Sequence, residues 1–181
     1  MRKINEIFYS LQGEGYHTGT PAVFIRFSGC NLRCSFCDTR HEEGTMMTDE
    51  AIIAEVSKYP TKMVVLTGGE PSLWIDDALI DLLHDTGKYI CIETNGTHLV
   101  PESADWVTCS PKQDTDLVLK RMDEVKVVYQ GQEISIYEQL PAEHFFLQPC
   151  SCYNTVETVD CVMRHPNWRL SLQTHKLIDI R

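Results

Sequence analysis

Seven short apolar runs constrain the fold of this chain more than any other feature. They are AVFIRFSGC, MVVLTGGEP, YICIETNG, WVTCSPK, VKVVYQG, FFLQPCS and WRLSLQTHK, and each ends in a polar or glycine-containing motif. Continuous apolar runs of this length suit strands buried on both faces, as in parallel sheets. Helical patterns lie between some of them. TDEAIIAEVSKY has Thr48 as an N-cap and Ile52, Ile53 and Val56 on one side. DDALIDLLHDTG puts Leu79, Ile80, Leu82 and Leu83 on a stripe and closes at Gly87. TVETVDCVMRHP starts from a cap at Thr155 and must stop before Pro166. Strands alternating with helices predict right-handed βαβ units, whose chemistry sits at the carboxyl ends of the strands. The expectation is an α/β fold, an incomplete barrel with every polar motif on one rim.

No repeat, low-complexity tract or linker divides the sequence, so residues 1–181 are expected to form one domain. A chain this long buries a core without disulfide staples. The net charge of -10 argues against binding a nucleic-acid backbone. MRKINEIFYS carries no apolar leader, and no stretch approaches the roughly 18 apolar residues of a membrane span. A cytoplasmic protein with no membrane partner is expected, in a compartment where thiols stay reduced. There, clustered cysteines point to metal rather than disulfides.

FSGCNLRCSFCDTRH holds such a cluster, C-x3-C-x2-C, at Cys30, Cys34 and Cys37. A structural zinc site with His41 as fourth ligand would normally pair two knuckles, and the second pair is missing. An electron-carrier cluster would use four thiolates, and the fourth is missing too. A [4Fe–4S] cluster on three thiolates leaves one iron open to a substrate or cofactor. Cys91, Cys109, Cys150, Cys152 and Cys161 are scattered in apolar surroundings, as small buried hydrophobes are. No further local cysteines complete an auxiliary cluster with Cys150 and Cys152.

The spacing, with Phe36 just before the last cysteine, resembles the signature of radical S-adenosylmethionine enzymes. That resemblance implies an abridged (β/α)6-type barrel. It also implies that the open iron chelates S-adenosylmethionine and that one electron from the cluster releases a 5′-deoxyadenosyl radical; the protein orients the cofactor and excludes competing reactions. TGGEP (Thr67–Pro71) resembles the superfamily's GGE element, although glycines after a strand often only make a tight turn.

LQGEG, FIR, CDT, ETNGT, SPK, QPCS and WRLSLQTHK, in that order, are together similar to the 7-carboxy-7-deazaguanine synthases over almost the whole chain. The family converts 6-carboxy-5,6,7,8-tetrahydropterin to 7-carboxy-7-deazaguanine with loss of ammonia, using the cluster, S-adenosylmethionine and Mg2+. The resemblance implies substrate contacts at Leu11, Gln12, Gly13, Glu14, Arg26 and Thr94. It implies a cofactor site lined by Phe36, Cys37, Asp38, Gly69, Glu70 and Gly96, by Ser110, Pro111 and Lys112, and by Gln148, Pro149, Cys150 and Ser151. Thr39 is implied as the Mg2+ ligand, a flavodoxin-type protein as electron donor and a homodimer as the assembly.

The residues alone leave several of these roles open. Gln12 and Glu14 also suit a solvated hairpin turn, Thr94, Ser110 and Lys112 ordinary strand-end polarity, and Thr39 a helix cap. Arg26, a cation in an apolar run, requires either an internal acid or a substrate carboxylate. His175 is expected near the rim. Two rivals share the cysteines: an abridged radical activase that forms a glycyl radical on a partner protein, and a non-enzymatic zinc or iron–sulfur module.

Overall fold

The computed structural model describes residues 1–181. Its regular elements are β1 (Arg2–Leu11), β2 (Pro21–Phe27), β3 (Thr45–Met47), α1 (Asp49–Val56), β4 (Met63–Gly68), α2 (Asp77–Asp85), β5 (Tyr89–Thr94), β6 (Trp106–Cys109), β7 (Glu124–Tyr129), β8 (His144–Pro149), α3 (Thr155–Arg164), β9 (Trp168–Leu170) and α4 (Thr174–Leu177). They form one open nine-stranded sheet in the order β3-β1-β2-β4-β5-β6-β7-β8-β9. The seven apolar runs are the parallel strands, β2 and β4 to β9. The abridged barrel is therefore present.

Strand alternation divides these runs between two environments. Val23, Ile25, Val64, Leu66, Ile90, Ile92, Val125, Val127 and Leu147 face outward, in one core with Ile52 and Val56 of α1 and Leu79, Ile80 and Leu83 of α2. The intervening residues face the lumen. On the β1 side they are apolar: Phe8, Ala22, Phe24, Met63, Val65 and Cys91. Farther along the sheet polar residues join the apolar ones: Glu93, Glu124, Lys126 and Gln148 beside Val128 and Phe146.

Local signals behave as expected at two helices and differ in detail at others. The Thr48 hydroxyl accepts from the Ala51 amide, and Gly87 follows α2 at φ 75°. Leu82, however, is exposed, since the buried stripe of α2 is carried by Leu79, Ile80 and Leu83 alone. The position before α3 is Asn154, not Thr155; the Thr155 hydroxyl donates instead to the Cys152 carbonyl.

β1 and β3 are not among the seven runs. β1 is antiparallel to both neighbours and carries three charges in its first half, Arg2, Lys3 and Glu6. Its buried Arg2 forms a two-point pair with Asp49 at the start of α1 and reaches Asp76, the N-cap of α2, at 2.7 Å. Because Leu11 pairs with Pro21, β1 ends beside the start of β2. LQGEG, at the end of β1, therefore does not start at the carboxyl rim. It enters from the opposite end and folds into the lumen.

Candidate active site

The three cysteines leave β2 on an irregular loop above the carboxyl ends of the strands. Two backbone bonds tie this loop to the GGE turn: the Gly69 amide donates to the Phe27 carbonyl at 3.1 Å and the Glu70 amide to the Gly29 carbonyl at 2.9 Å. The approach explains the glycine. A Cβ on Gly69 would stand 2.0 Å from the Gly29 carbonyl oxygen. Asn31, between the first two cysteines, accepts from Asn95 Nδ2 at 3.0 Å and donates to Thr97 at 2.8 Å. ETNGT thus braces the same loop.

Cys30, Cys34 and Cys37 line one cavity of about 1070 Å3. No three His, Cys, Asp or Glu side chains converge where a single ion would sit. A mononuclear zinc site needs that convergence. A polynuclear cluster instead takes each thiolate on a different iron. Three soft thiols facing one cavity, without a fourth, therefore fit a [4Fe–4S] cluster with an open position. Burial pushes the Cys30 thiol up from its ordinary range, the acid Glu70 adding to the effect. Metal ligation would favour its thiolate.

The LQGEG turn and the C-terminal segment form the polar floor. Lys126 Nζ lies 2.7 Å from Glu14 Oε2 and 2.6 Å from Glu93 Oε2. Gln12 Nε2 donates to the other oxygen of Glu93 at 2.9 Å, and Gln173 Nε2 to the other oxygen of Glu14 at 2.8 Å. Burial pushes the Glu14 carboxyl up, but the charge and hydrogen bond of Lys126, with Gln173, outweigh it and hold the group below its ordinary value. Gln12 and Glu14 are not a solvated turn. Below them Gly15, at φ 64°, leaves room for Glu124; a Cβ there would meet Glu124 Oε1 at 2.1 Å. The Tyr16 amide donates to Glu124 Oε2 at 3.0 Å, and the Tyr16 ring stacks on His144 at 4.5 Å to close the bottom of the barrel.

Most expected site residues meet at the cavity wall: Leu11, Gln12, Gly13, Glu14, Arg26, Phe36, Asp38, Thr39, Gly69, Thr94, Ser110, Lys112 and Gln148 to Ser151. Glu70, Gly96 and Pro111 do not line it. The Glu70 carboxylate is fully buried and accepts from Ser72, Thr94 and Asn95. It shapes the strand ends from behind. Lys112 is half-buried and donates to both oxygens of Ser110 at 2.7 Å; desolvation lowers its pKa, with the nearby cysteines opposing.

Arg26 has an internal partner, Glu6, at 2.9 Å from Nε, yet it also lines the cavity. The Thr39 hydroxyl caps no helix; its contact is Asp38 Oδ1 at 3.5 Å. Asp38 is held through its other oxygen by Lys176 at 2.6 Å and Gln173 at 3.2 Å, and these hydrogen bonds keep its carboxyl low against the opposing effect of burial. His175 lines the cavity, and burial lowers its pKa. Sequence reasoning gave no role to Glu93, Lys126, Gln173 or Lys176. The signal for Lys126 is the one that marked Arg26, a lone cation inside an apolar run.

Cysteine loop, glycine turn and open barrel together define a radical S-adenosylmethionine enzyme, and the pattern of the Radical SAM superfamily matches residues 24–131. The crystal structure of QueE from Escherichia coli superposes with a TM-score of 0.79 at 33% identity, covering 94% of this chain and 93% of that one. The chain is 83% identical over 181 residues to the 7-carboxy-7-deazaguanine synthase of Bacteroides thetaiotaomicron, covering both chains completely. It is 42% identical over 207 aligned positions to that of Bradyrhizobium diazoefficiens, covering 98% of each. The chain belongs to the 7-carboxy-7-deazaguanine synthase family.

Proposed function

We propose that this chain converts 6-carboxy-5,6,7,8-tetrahydropterin to 7-carboxy-7-deazaguanine with loss of ammonia, in 7-deazapurine biosynthesis, and that the cavity is where it does so. The observation that carries this reading is the opening of the cysteine loop and the Gln12–Glu14 floor into one space. When bound at Cys30, Cys34 and Cys37, a [4Fe–4S] cluster with S-adenosylmethionine supplies one-electron hydrogen-abstraction chemistry.

The protein's part is to hold and orient. Phe36, Asp38, Gly69, Ser110, Lys112 and the Gln148–Ser151 stretch surround the S-adenosylmethionine, with Glu70, Gly96 and Pro111 shaping that wall from behind. Gln12, Glu14, Thr94 and the backbone of Leu11 and Gly13 offer donors and acceptors to the pterin edge. Arg26 offers its two terminal nitrogens to the substrate carboxylate while Glu6 holds Nε.

Thr39, beside Asp38 Oδ1, supplies hard oxygen for Mg2+. The remaining ligands of such an ion would come from substrate and water. A reducing cytoplasm suits eight free cysteines. A flavodoxin-type donor and a homodimer complete the reading on the family's pattern. No helix is long and apolar enough to cross a membrane.

Anaerobic reconstitution tests the assignment. The expected result is a brown protein holding about four irons per chain, the content of one cubane, whose spectrum responds to S-adenosylmethionine and again to the pterin. A colourless protein that takes zinc, or a cluster indifferent to the pterin, overturns it.

A further inference from the structure

Two consecutive residues other than glycine hold a positive φ at one place in the chain, the turn from β8 to α3: Ser151 at 46° and Cys152 at 66°. A Cβ makes this left-handed conformation costly, so the surroundings must enforce it. Gln148, Pro149, Cys150 and Ser151 line the cavity, whereas Asn154 does not. Asn154 occupies the N-cap position of α3, where an asparagine side chain ordinarily accepts from an amide of the first turn. Its carboxamide makes no such bond. It turns back instead. Oδ1 accepts from the Cys150 amide at 2.8 Å, and Nδ2 donates to the Tyr129 carbonyl at 2.8 Å. Tyr129 ends β7 and is the register partner of Pro149, the end of β8. One side chain thus ties the start of the turn to the neighbouring strand. Thr158 fixes Asn154 from α3, its amide and hydroxyl both donating to the Asn154 carbonyl, at 3.0 and 2.8 Å. The Thr155 hydroxyl donates to the Cys152 carbonyl at 3.0 Å and holds the far end of the turn.

We propose that Asn154 is a positioning residue for S-adenosylmethionine: by clamping Cys150 to Tyr129, it keeps the Cys150–Cys152 turn in the left-handed shape that forms part of the cofactor wall. This rests on that turn belonging to the S-adenosylmethionine site. Without the clamp the turn relaxes toward conformations that side chains prefer, and only a fraction of molecules presents the wall preformed. The apparent affinity for the cofactor falls by that fraction. The clamp needs a donor and an acceptor on separate atoms of one short side chain. Aspartate has no donor, and serine has a single oxygen, yet both are good N-caps. A clamp and a cap therefore respond differently to the same substitutions. The cysteine loop is braced by other bonds, from Gly69, Glu70 and Asn95, so cluster assembly does not depend on Asn154.

The test uses the reconstituted holoenzyme and measures iron content, thermal unfolding, the spectral titration with S-adenosylmethionine, and pterin binding at saturating S-adenosylmethionine. Asn154→Asp should keep its stability and iron but bind S-adenosylmethionine about tenfold more weakly, as the loss of one or two hydrogen bonds implies. Pterin binding should stay at the wild-type value. Asn154→Ser should behave alike, and it decides the matter if the Asp variant fails to fold. Adding Cys152→Gly to either should recover several-fold of the lost affinity, because glycine adopts positive φ without the Cβ penalty. A variant that folds, loads iron and binds S-adenosylmethionine as wild type does overturns the inference, as does a loss that Cys152→Gly leaves unchanged. If the wild-type cluster itself shows no response to S-adenosylmethionine, the proposed function falls, and this inference with it.

Discussion

The Thr94 hydroxyl donates to Glu70 Oε1 at 2.7 Å, and the Asn95 amide donates to Glu70 Oε2 at 2.8 Å. One buried carboxylate thereby joins the GGE turn to the end of β5, and Asn95 carries the link on to Asn31 in the cysteine loop. Glu70→Ala leaves three donors without their acceptor, those of Ser72, Thr94 and Asn95. Each buried donor left unpaired costs about 1–3 kcal/mol. Denaturant unfolding should show a loss of several kcal/mol for Glu70→Ala and a much smaller one for Thr94→Val. Equal small losses would mean that Glu70 does not organise the turn.

The eight thiols should separate into two groups. Cys30→Ala, Cys34→Ala and Cys37→Ala should each abolish cluster assembly, because two thiolates remain for a cubane. Cys91, Cys109 and Cys161 are buried. Burial drives the Cys91 thiol far above its ordinary range and Cys109 to about 12. Since the thiolate is the reactive form, both should resist alkylation in the native protein. Replacing either with Ser should leave iron content unchanged. Iron analysis and thiol mass labelling check both statements.

Mg2+ should raise wild-type turnover, and Thr39→Ala should lose most of that stimulation while keeping its cluster. Thr39→Ser retains the oxygen and should keep much of the effect. With no helix at this position, a stability change in Thr39→Ala is not expected. Titrating Mg2+ against the initial rate for the three proteins decides the ligand assignment. A Thr39→Ala enzyme with the wild-type response contradicts it.

Glu124 makes the barrel floor pH-sensitive. Burial raises its carboxyl to about 7, Lys126 opposing and Glu93 and Glu14 assisting. A group raised in the folded state favours its protonated form there. Its contribution is full below the ordinary value of 4.5 and is lost as pH rises through about 7. The loss amounts to about 3 kcal/mol at most. Burial lowers the pKa of His17 nearby, so that group acts in the opposite sense and loses stability as pH falls below 6.5. Unfolding of Glu124→Gln relative to wild type from pH 5 to 8 isolates the glutamate: the wild type should weaken across this range relative to the variant. Parallel curves would refute the assignment.

The seven parallel strands were legible because burial on both faces leaves an uninterrupted apolar run. β1 was not, since charges interrupt its first half and serve different partners: Arg2 anchors two helix starts, while Glu6 receives Arg26 and Arg181. The cysteine loop and the GGE turn could be read from spacing, because cluster ligation and backbone packing restrict sequence locally. The polar floor could not. Gln12, Glu14, Glu93, Lys126 and Gln173 lie up to 161 positions apart and meet only because the turn after β1 enters the lumen from below. Arg26 was legible as a buried cation, but its acid sits on the neighbouring antiparallel strand, opposite it in register.

The most direct test of the account is anaerobic turnover of 6-carboxy-5,6,7,8-tetrahydropterin by reconstituted enzyme with S-adenosylmethionine, a chemical reductant and Mg2+, with Cys34→Ala as control. The account predicts 7-carboxy-7-deazaguanine and ammonia in equal amounts from wild type, none without S-adenosylmethionine or reductant, and none from the control. A fully loaded wild type that cleaves S-adenosylmethionine in the presence of the pterin yet releases neither product would contradict it.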